Sequence, residues 1–265
     1  MSNIKIAIPS YKRVDKVRVF QSIPQSYSHN TYMFVRVEEE AEYRKEWGHR
    51  CNIIPITDVT GVATTMDAMV RYFGKDRVWC IDDDITLHLG VIDHKGVLRK
   101  NRDSITESEF YDCLDFIGEQ IDSGYSYGQL FYPLFPRGSN YYPIKTKLTP
   151  YGSGNIFFDL SLIDVSLITY SKIGDEWCDA WVCLNLYKHG HRPVTITKYV
   201  TDPYKYNASG GCSENRLASK INECAKQVVE DFPEYCKLRT SKRKDLERLG
   251  IKDVEEIYSV SIRLK

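Results

Sequence analysis

The 265-residue sequence has no net charge: Lys+Arg and Asp+Glu each number 36. Without an excess of either sign, the chain as a whole makes no electrostatic case for nucleic acid or a membrane surface as its partner. The eight cysteines (Cys51, Cys80, Cys113, Cys178, Cys183, Cys212, Cys224 and Cys236) contain no C-x-x-C pair, which argues against a thiolate zinc site. Several stand inside apolar runs, where a thiol packs as a small hydrophobe. With an opening that runs directly into a strand, this usage implies a reducing compartment and a cytoplasmic protein. No apolar run approaches the roughly 20 residues needed to cross a bilayer. Internal repeats and low-complexity linkers are also missing.

What is present is a soluble-globular composition with acid concentrated in one place. Val78–Ile81 is an apolar run that stops abruptly at Asp82-Asp83-Asp84 before apolar residues resume. Such a pattern describes a buried strand whose carboxyl end releases acidic side chains into a crevice. Asp82 and Asp84 flank Asp83 in a D-x-D arrangement, and hard cations such as Mg²⁺ and Mn²⁺ take one or two carboxylates plus substrate phosphates. The plain alternative is an acidic turn capped by water.

Upstream, Ile4–Pro9 (IKIAIP), Thr31–Val37 (TYMFVRV) and Cys51–Ile56 have the short β-branched character of strands. Helices are expected between them: one through Val14, Val17 and Phe20 closed by Pro24, one over Glu38–Trp47, and one over Ala63–Phe73 ended by Gly74. Alternation of this kind predicts an α/β fold with a mostly parallel, mixed sheet covered by helices. Ligands of such sheets bind at the carboxyl ends of the strands. Four such ends carry polar residues: Ser10–Arg13, Glu38, Asp58 and Asp82–Asp84.

The second half is less regular. Residues 90–105 are basic (Lys95, Arg99, Lys100, Arg102) and suit a loop or hairpin, and Ser108–Ser123 suits an amphipathic helix. Residues 124–152 are crowded with Tyr, Pro and Gly, a composition of aromatic-lined loops. Gly154–Phe158 is expected as a strand, Ser161–Ser166 as the start of a short helix, Asp175–His189 as a helix stopped by Gly190, and His191–Val200 as a strand. After the Gly/Ser-rich Asn207–Glu214 come a helix over Arg216–Val229 and a basic cluster, Lys237–Arg248. The expected organisation is a catalytic domain over 1–205, with a nucleotide-sugar half (1–88) and an acceptor half (89–205), followed by a flexible segment and helical extension over 206–265.

These pieces, in this order, resemble the GT-A glycosyltransferases, most closely the large family-2 group of inverting, nucleotide-sugar-dependent enzymes. The resemblance covers about residues 4–200. Ile8-Pro9-Ser10-Tyr11-Lys12-Arg13 is similar to the family's strand–Pro–x–[YF] start of the nucleotide pocket, and Glu38 stands where the family often contacts the base. Gly61 to Asp67 has the spacing of G-x-x-x-A-R-N, with Met66 and Asp67 replacing the Arg and Asn. Asp82-Asp83-Asp84 is the D-x-D. Cys178-Asp179 through His191-Arg192 resembles E-D-x-x-x-x-x-R-L-x-x-x-G-[YH]-[RK], with Cys178 in place of the Glu, and no histidine follows His191.

The resemblance implies Mn²⁺ or Mg²⁺ on Asp84 and Asp82, and donor contacts from Pro9, Ser10, Tyr11, Arg13, Glu38, Asp58, Gly61, Asp67, Asp82 and Asp83. It implies Asp179 as the base that takes the acceptor proton, with Asp175 and Glu176 as alternates. A first-turn acid also stabilises a helix dipole, and Arg13 has Asp15 as a neighbouring partner, so other readings of both residues stay open. A nucleotidyltransferase would carry a glycine-rich loop after the first strand, and Ser10–Arg13 has none. An inactive nucleotide-sugar-binding module is the non-enzymatic alternative. Similar small enzymes occur in bacteriophages, where some glycosylate hydroxymethylated pyrimidines in DNA. On that reading the basic segments would grip phosphates and the tyrosines would hold a base, with the host cytoplasm as location. A polysaccharide or glycolipid acceptor is the alternative.

Overall fold

The computed structural model describes residues 3–132, 137–138, 142–146, 154–203, 217–241 and 256–264. The chain begins with β1 (Ile4–Pro9), β2 (Thr31–Arg36), α1 (Glu40–Trp47), β3 (Asn52–Ile56), α2 (Val62–Phe73) and β4 (Arg77–Ile81). These four strands are mutually parallel in the order β3-β2-β1-β4. Their period-2 side chains feed two cores. Ile4, Ile6, Ile8, Trp79 and Ile81 point to one face, and Ala7, Val78 and Cys80 to the other. Being covered on both faces, the strands are apolar along almost their whole length.

Beyond β4 come β5 (Ile85–Ile92), β6 (Val97–Ser104), α3 (Glu107–Asp122), β7 (Tyr127–Phe131), β8 (Arg137–Gly138), β9 (Ile144–Lys145), β10 (Asn155–Asp159), α4 (Cys178–Lys188) and β11 (Pro193–Pro203). The sheet continues as β4-β10-β7-β11-β5-β6-β8, with β9 paired to β11. It is a mixed sheet: β10 is antiparallel to β4 and β7, β11 is parallel to β7, and β5 is antiparallel to β11. Thus β4, β7 and β11 all end on the edge where β5 begins.

α3 starts in a capping box. The Thr106 hydroxyl accepts from the Glu109 N–H at 3.3 Å, and the Glu109 carboxylate accepts from the Thr106 N–H at 2.8 Å. The helix buries Phe110, Cys113, Leu114, Ile117 and Ile121 against the first core. Helices α2 and α4 fill the second core, joined by α5 (Ala218–Asp231) and the antiparallel pair β12 (Cys236–Ser241) and β13 (Ile257–Ile262). Among the described residues no helix is long and apolar enough to cross a membrane.

Several expectations need correction. The helix expected over Val14–Phe20 is absent; two 3-10 turns, Val19–Gln21 and Gln25–Asn30, take its place. The N–H groups of Arg18 and Val19 donate to the Asp83 carbonyl at 2.8 and 3.1 Å, a tertiary bond that outcompetes a helix rich in β-branched residues. Tyr127–Phe131 is a central strand rather than aromatic loop, since aromatic residues also suit a pleated buried surface. Gly128 permits that packing: a Cβ there would lie 2.4 Å from the Phe157 ring and the Val194 carbonyl.

Where a helix was expected from Ser161, the chain forms a 3-10 turn, Val165–Leu167, capped by Asp164. α4 begins at Cys178, three residues later than its apolar pattern suggests, because Trp177 takes a left-handed conformation with φ 59°. The C-terminal segment holds the β12–β13 pair besides its helix. Asn207–Glu214, Tyr141, Tyr151 and Lys242–Arg248 lie outside the described residues.

Candidate active site

Strand β4 ends inside the sheet, so its next three residues must turn at once. The Asp82 N–H donates to the Gly154 carbonyl at 2.7 Å, tying the turn to the start of β10. Gly154 has φ +60°, and a Cβ on it would lie 1.9 Å from Asp82 Oδ2, so only glycine fits beside this carboxylate.

The three acids do different things. Asp83 turns inward and is buried. It accepts from the Ser10 hydroxyl and, at 3.0 Å, from Arg13 Nη1. Because Ser10 donates to Asp83, its 2.8 Å contact with Tyr43 is a bond donated by the phenol, giving a relay Tyr43–Ser10–Asp83. Burial pushes the Asp83 carboxyl up to about 6, against the opposing pull of Arg13 and Ser10.

Asp84 points outward and pairs with Arg13 Nη1 at 2.8 Å. Burial by itself lowers the basicity of Arg13, but Asp83 and Asp84 outweigh it and keep the guanidinium charged. Arg13 therefore pairs with the triplet. Asp82 is raised well above the usual carboxylate range by burial, then by the charges of Asp84, Asp179 and Asp83. Among the described residues, no side-chain or backbone donor reaches its carboxylate.

Asp179 sits in the first turn of α4 and is half-buried. Burial pushes it up to about 6, and its charge acts on Asp82, on the Cys80 thiol and on the Tyr170 phenol. Asp175, one alternate, is engaged elsewhere: its Oδ1 accepts from the Ala63 N–H at 2.9 Å, serving as a remote cap on α2. A Cβ on Gly61 would lie 2.0 Å from Asp175 Oδ2, so a larger residue there would push the capping carboxylate aside. Glu176, the other alternate, is half-buried, and its backbone bonds to the Cys224 thiol of α5.

The first-strand loop lies at the crevice, with half-buried Pro9 and Tyr11 and buried Ser10. The Arg36 guanidinium stands 3.8 Å from the centre of the Tyr11 ring. Glu38 is exposed, whereas Glu39 turns in: its Oε1 accepts from the Lys12 N–H at 2.9 Å, and its Oε2 is buried without a hydrogen bond among the described residues. Sequence reasoning missed Glu39 because three consecutive glutamates look alike until a 3-10 turn, Val37–Glu39, sets their directions.

Asp58 is exposed with φ 60°, after β3. Asp67 is a correction: it does not reach the crevice, because its buried carboxylate accepts from the N–H groups of Tyr170 and Ser171 at 2.6 and 3.1 Å. It clamps α2 to the turn before α4. No cluster of three or more His, Cys, Asp or Glu forms a ready-made metal cage among the described residues. Asp82 and Asp84, both half-buried at the end of β4, instead suit a cation whose remaining ligands come from a substrate.

A mixed α/β sheet with a D-x-D turn and a separate first-turn acid near its strand ends is the arrangement that the resemblance to nucleotide-sugar glycosyltransferases leads one to expect. Comparison with known proteins narrows the class. Residues 4–211 match the model of the TET-Associated Glycosyltransferase family, and the chain belongs to that family. It is 32% identical over 255 residues to the beta-glucosyl-HMC-alpha-glucosyl-transferase of Enterobacteria phage T6, covering 94% of this chain and 89% of the relative. The protein of the same name in Enterobacteria phage T2 matches to the same extent. In fold, the chain is similar to a mycobacterial protein of known crystal structure, with a TM-score of 0.54 at 8% identity, over 98% of this chain and 83% of the other.

Proposed function

We propose that this glycosyltransferase moves glucose from a nucleoside-diphosphate donor to a hydroxyl borne by hydroxymethylcytosine in DNA, with Mn²⁺ or Mg²⁺ on Asp82 and Asp84. The observation that carries the reading is the meeting of Asp82, Asp84 and Asp179 at one sheet edge. Asp82 is half-buried beside like charges, with no donor among the described residues to satisfy it, a cost that a bound cation relieves. Such a cation, when present, neutralises charge developing on the diphosphate.

The chain's own groups supply the rest. Asp179 takes the proton of the acceptor hydroxyl while that oxygen bonds to the anomeric carbon and the carbon–oxygen bond to the diphosphate breaks. A pKa near 6 leaves Asp179 ionised at neutral pH yet more basic than an ordinary carboxylate. Arg13 holds the acidic turn against the Ser10–Arg13 loop. Glucose and hydroxymethylcytosine are supported by the names of the phage relatives.

The test is a donor-and-acceptor screen with Mn²⁺, a panel of nucleotide sugars, and three duplexes bearing cytosine, hydroxymethylcytosine or glucosylated hydroxymethylcytosine. Mass spectrometry of the digested nucleosides should find an added hexose only on the modified bases. Transfer to a polysaccharide but to none of the duplexes would overturn the acceptor assignment. Incorporation of a nucleotide instead of a sugar would overturn the reaction.

A further inference from the structure

Strands β7 and β11 run in the same direction as β4, so their first residues lie at the sheet edge opposite the acidic turn. Along the five residues of β7 the two edges are about 17 Å apart. A cavity of about 520 Å³ opens at this far edge. Its lining includes Tyr125 ahead of β7, Tyr187 in the last turn of α4, His191 and Arg192 ahead of β11, and Tyr235 and Leu264 beside the paired ends of β12 and β13. Gly190, with φ +87°, turns the chain from α4 towards β11 and so brings His191 and Arg192 to the cavity. The N–H groups of His189, Gly190 and His191 bond the Asn185, Leu186 and Tyr187 carbonyls, so the helix end offers the cavity few free acceptors. The exposed Arg192 guanidinium lies 4.7 Å from the centre of the Tyr125 ring, and no carboxylate pairs with it among the described residues. His191 Nδ1 is 3.1 Å from the Ser126 hydroxyl, leaving Nε2 without a partner among the described residues. Tyr187 and Tyr235 meet edge to face at 5.3 Å. None of the described residues lining the cavity is acidic.

We infer that this cavity binds a nucleoside monophosphate unit, free or carried within a DNA strand, at a site separate from the catalytic edge. The charge selects an anion: a guanidinium held flat on Tyr125 and free of any carboxylate offers its fork to two phosphate oxygens, and the phosphate meets no like charge. The rings select the rest of the ligand. Tyr187 and Tyr235 give an aromatic wall against which a base can stack, and His191 Nε2 adds one polar contact. A volume of about 520 Å³ lies within the roughly 300–1,000 Å³ of small-molecule sites. A neutral sugar would leave the guanidinium unused, and a bare phosphate would leave the rings uncovered. Unlike the acidic edge, this site needs no metal to hold a phosphate, and it stands independently of the reaction proposed above.

The test uses the full chain in EDTA, so that no cation draws nucleotide to the acidic edge. By calorimetry and ligand-detected saturation transfer, dCMP should bind the wild type saturably. Deoxycytidine and inorganic phosphate, each only part of the ligand, should bind weaker by roughly tenfold or more. Arg192→Gln and Tyr235→Leu, each of verified fold, should weaken dCMP by roughly the same factor. A short oligodeoxycytidylate that binds tighter than dCMP, and equally through Arg192, assigns the site to a DNA strand; one that binds no tighter assigns it to a free nucleotide. No dCMP binding by either method, or binding that both variants leave unchanged, overturns the site. Deoxycytidine binding as tightly as dCMP overturns the phosphate contact. In the transfer assay, Arg192→Gln should leave the Mn²⁺ half-saturation unchanged, and a large rise would overturn the separation from the catalytic edge. Binding of dCMP through Arg192 without transfer to any duplex keeps this site and overturns the proposed acceptor.

Discussion

At the residue scale, the account turns on how three adjacent aspartates divide their work. The D-x-D spacing was legible because an apolar strand ending in acid can only release it at the sheet edge. The inward turn of Asp83 was not legible, since it depends on Ser10, Tyr43 and Arg13 meeting it across the fold. Asp82, Asp83 and Asp179 are all raised by burial, Asp83 and Asp179 to about 6. For a raised acid the folded chain holds its proton more tightly than the unfolded one, so the stabilisation is present below about pH 4 and is lost as pH rises through 6. In EDTA, Tm should therefore fall between those values, and saturating Mn²⁺ should flatten the slope; a melting series with and without the metal checks this. Asp179→Asn should lower turnover by roughly two to four orders of magnitude. It should also remove the acidic limb near pH 6 from the kcat profile, with donor affinity little changed. Gly154→Ala places a methyl group on Asp82 Oδ2, so the Mn²⁺ half-saturation of transfer should rise sharply while far-UV circular dichroism is preserved.

At the element scale, the parallel strands and α2 followed from their apolar periods, as did α3 from its amphipathic pattern. The start of α4 did not, and that start decides which acid is the base. Sequence periodicity cannot register a left-handed Trp177, a costly conformation for a bulky residue, maintained here by the packing around it. Its effect is to leave Asp175 outside the helix, free to cap α2 from a distance, while Asp179 enters the first turn. This makes a sharp distinction testable. Asp175→Ala removes the cap and should cost about 1 kcal/mol of stability, with a modest fall in kcat through α4. Asp175→Asn keeps the acceptor oxygen and should restore both, as followed by chemical denaturation and initial rates. A dead Asp175→Asn variant of normal stability would make Asp175 the base. Tyr127–Phe131, near the start of the Tyr-rich segment, was misjudged for a related reason: composition marks aromatic residues as loop-like only until a sheet offers them a buried strand position.

At the scale of the whole molecule, the proposed DNA acceptor requires a chain with no net charge to make local contacts to phosphate. The β5–β6 hairpin offers exposed Lys95, Arg99 and Arg102 for such contacts. Converting Lys95 and Arg102 to Gln should weaken duplex binding equally for all sequences. It should also flatten the salt dependence of binding by about one unit for each phosphate pairing removed, read by gel shift at two salt concentrations. The central claim, however, is that the acidic edge acts through a divalent cation. The most direct measurement is the rate of glucose transfer to hydroxymethylcytosine duplex across a Mn²⁺ titration, for the wild type and for Asp84→Ala of verified fold. The account predicts saturable metal dependence in the wild type, none of it surviving excess EDTA, and no transfer by Asp84→Ala at any Mn²⁺ concentration. Full wild-type activity in EDTA, or an Asp84→Ala enzyme with an unaltered Mn²⁺ curve, would contradict it.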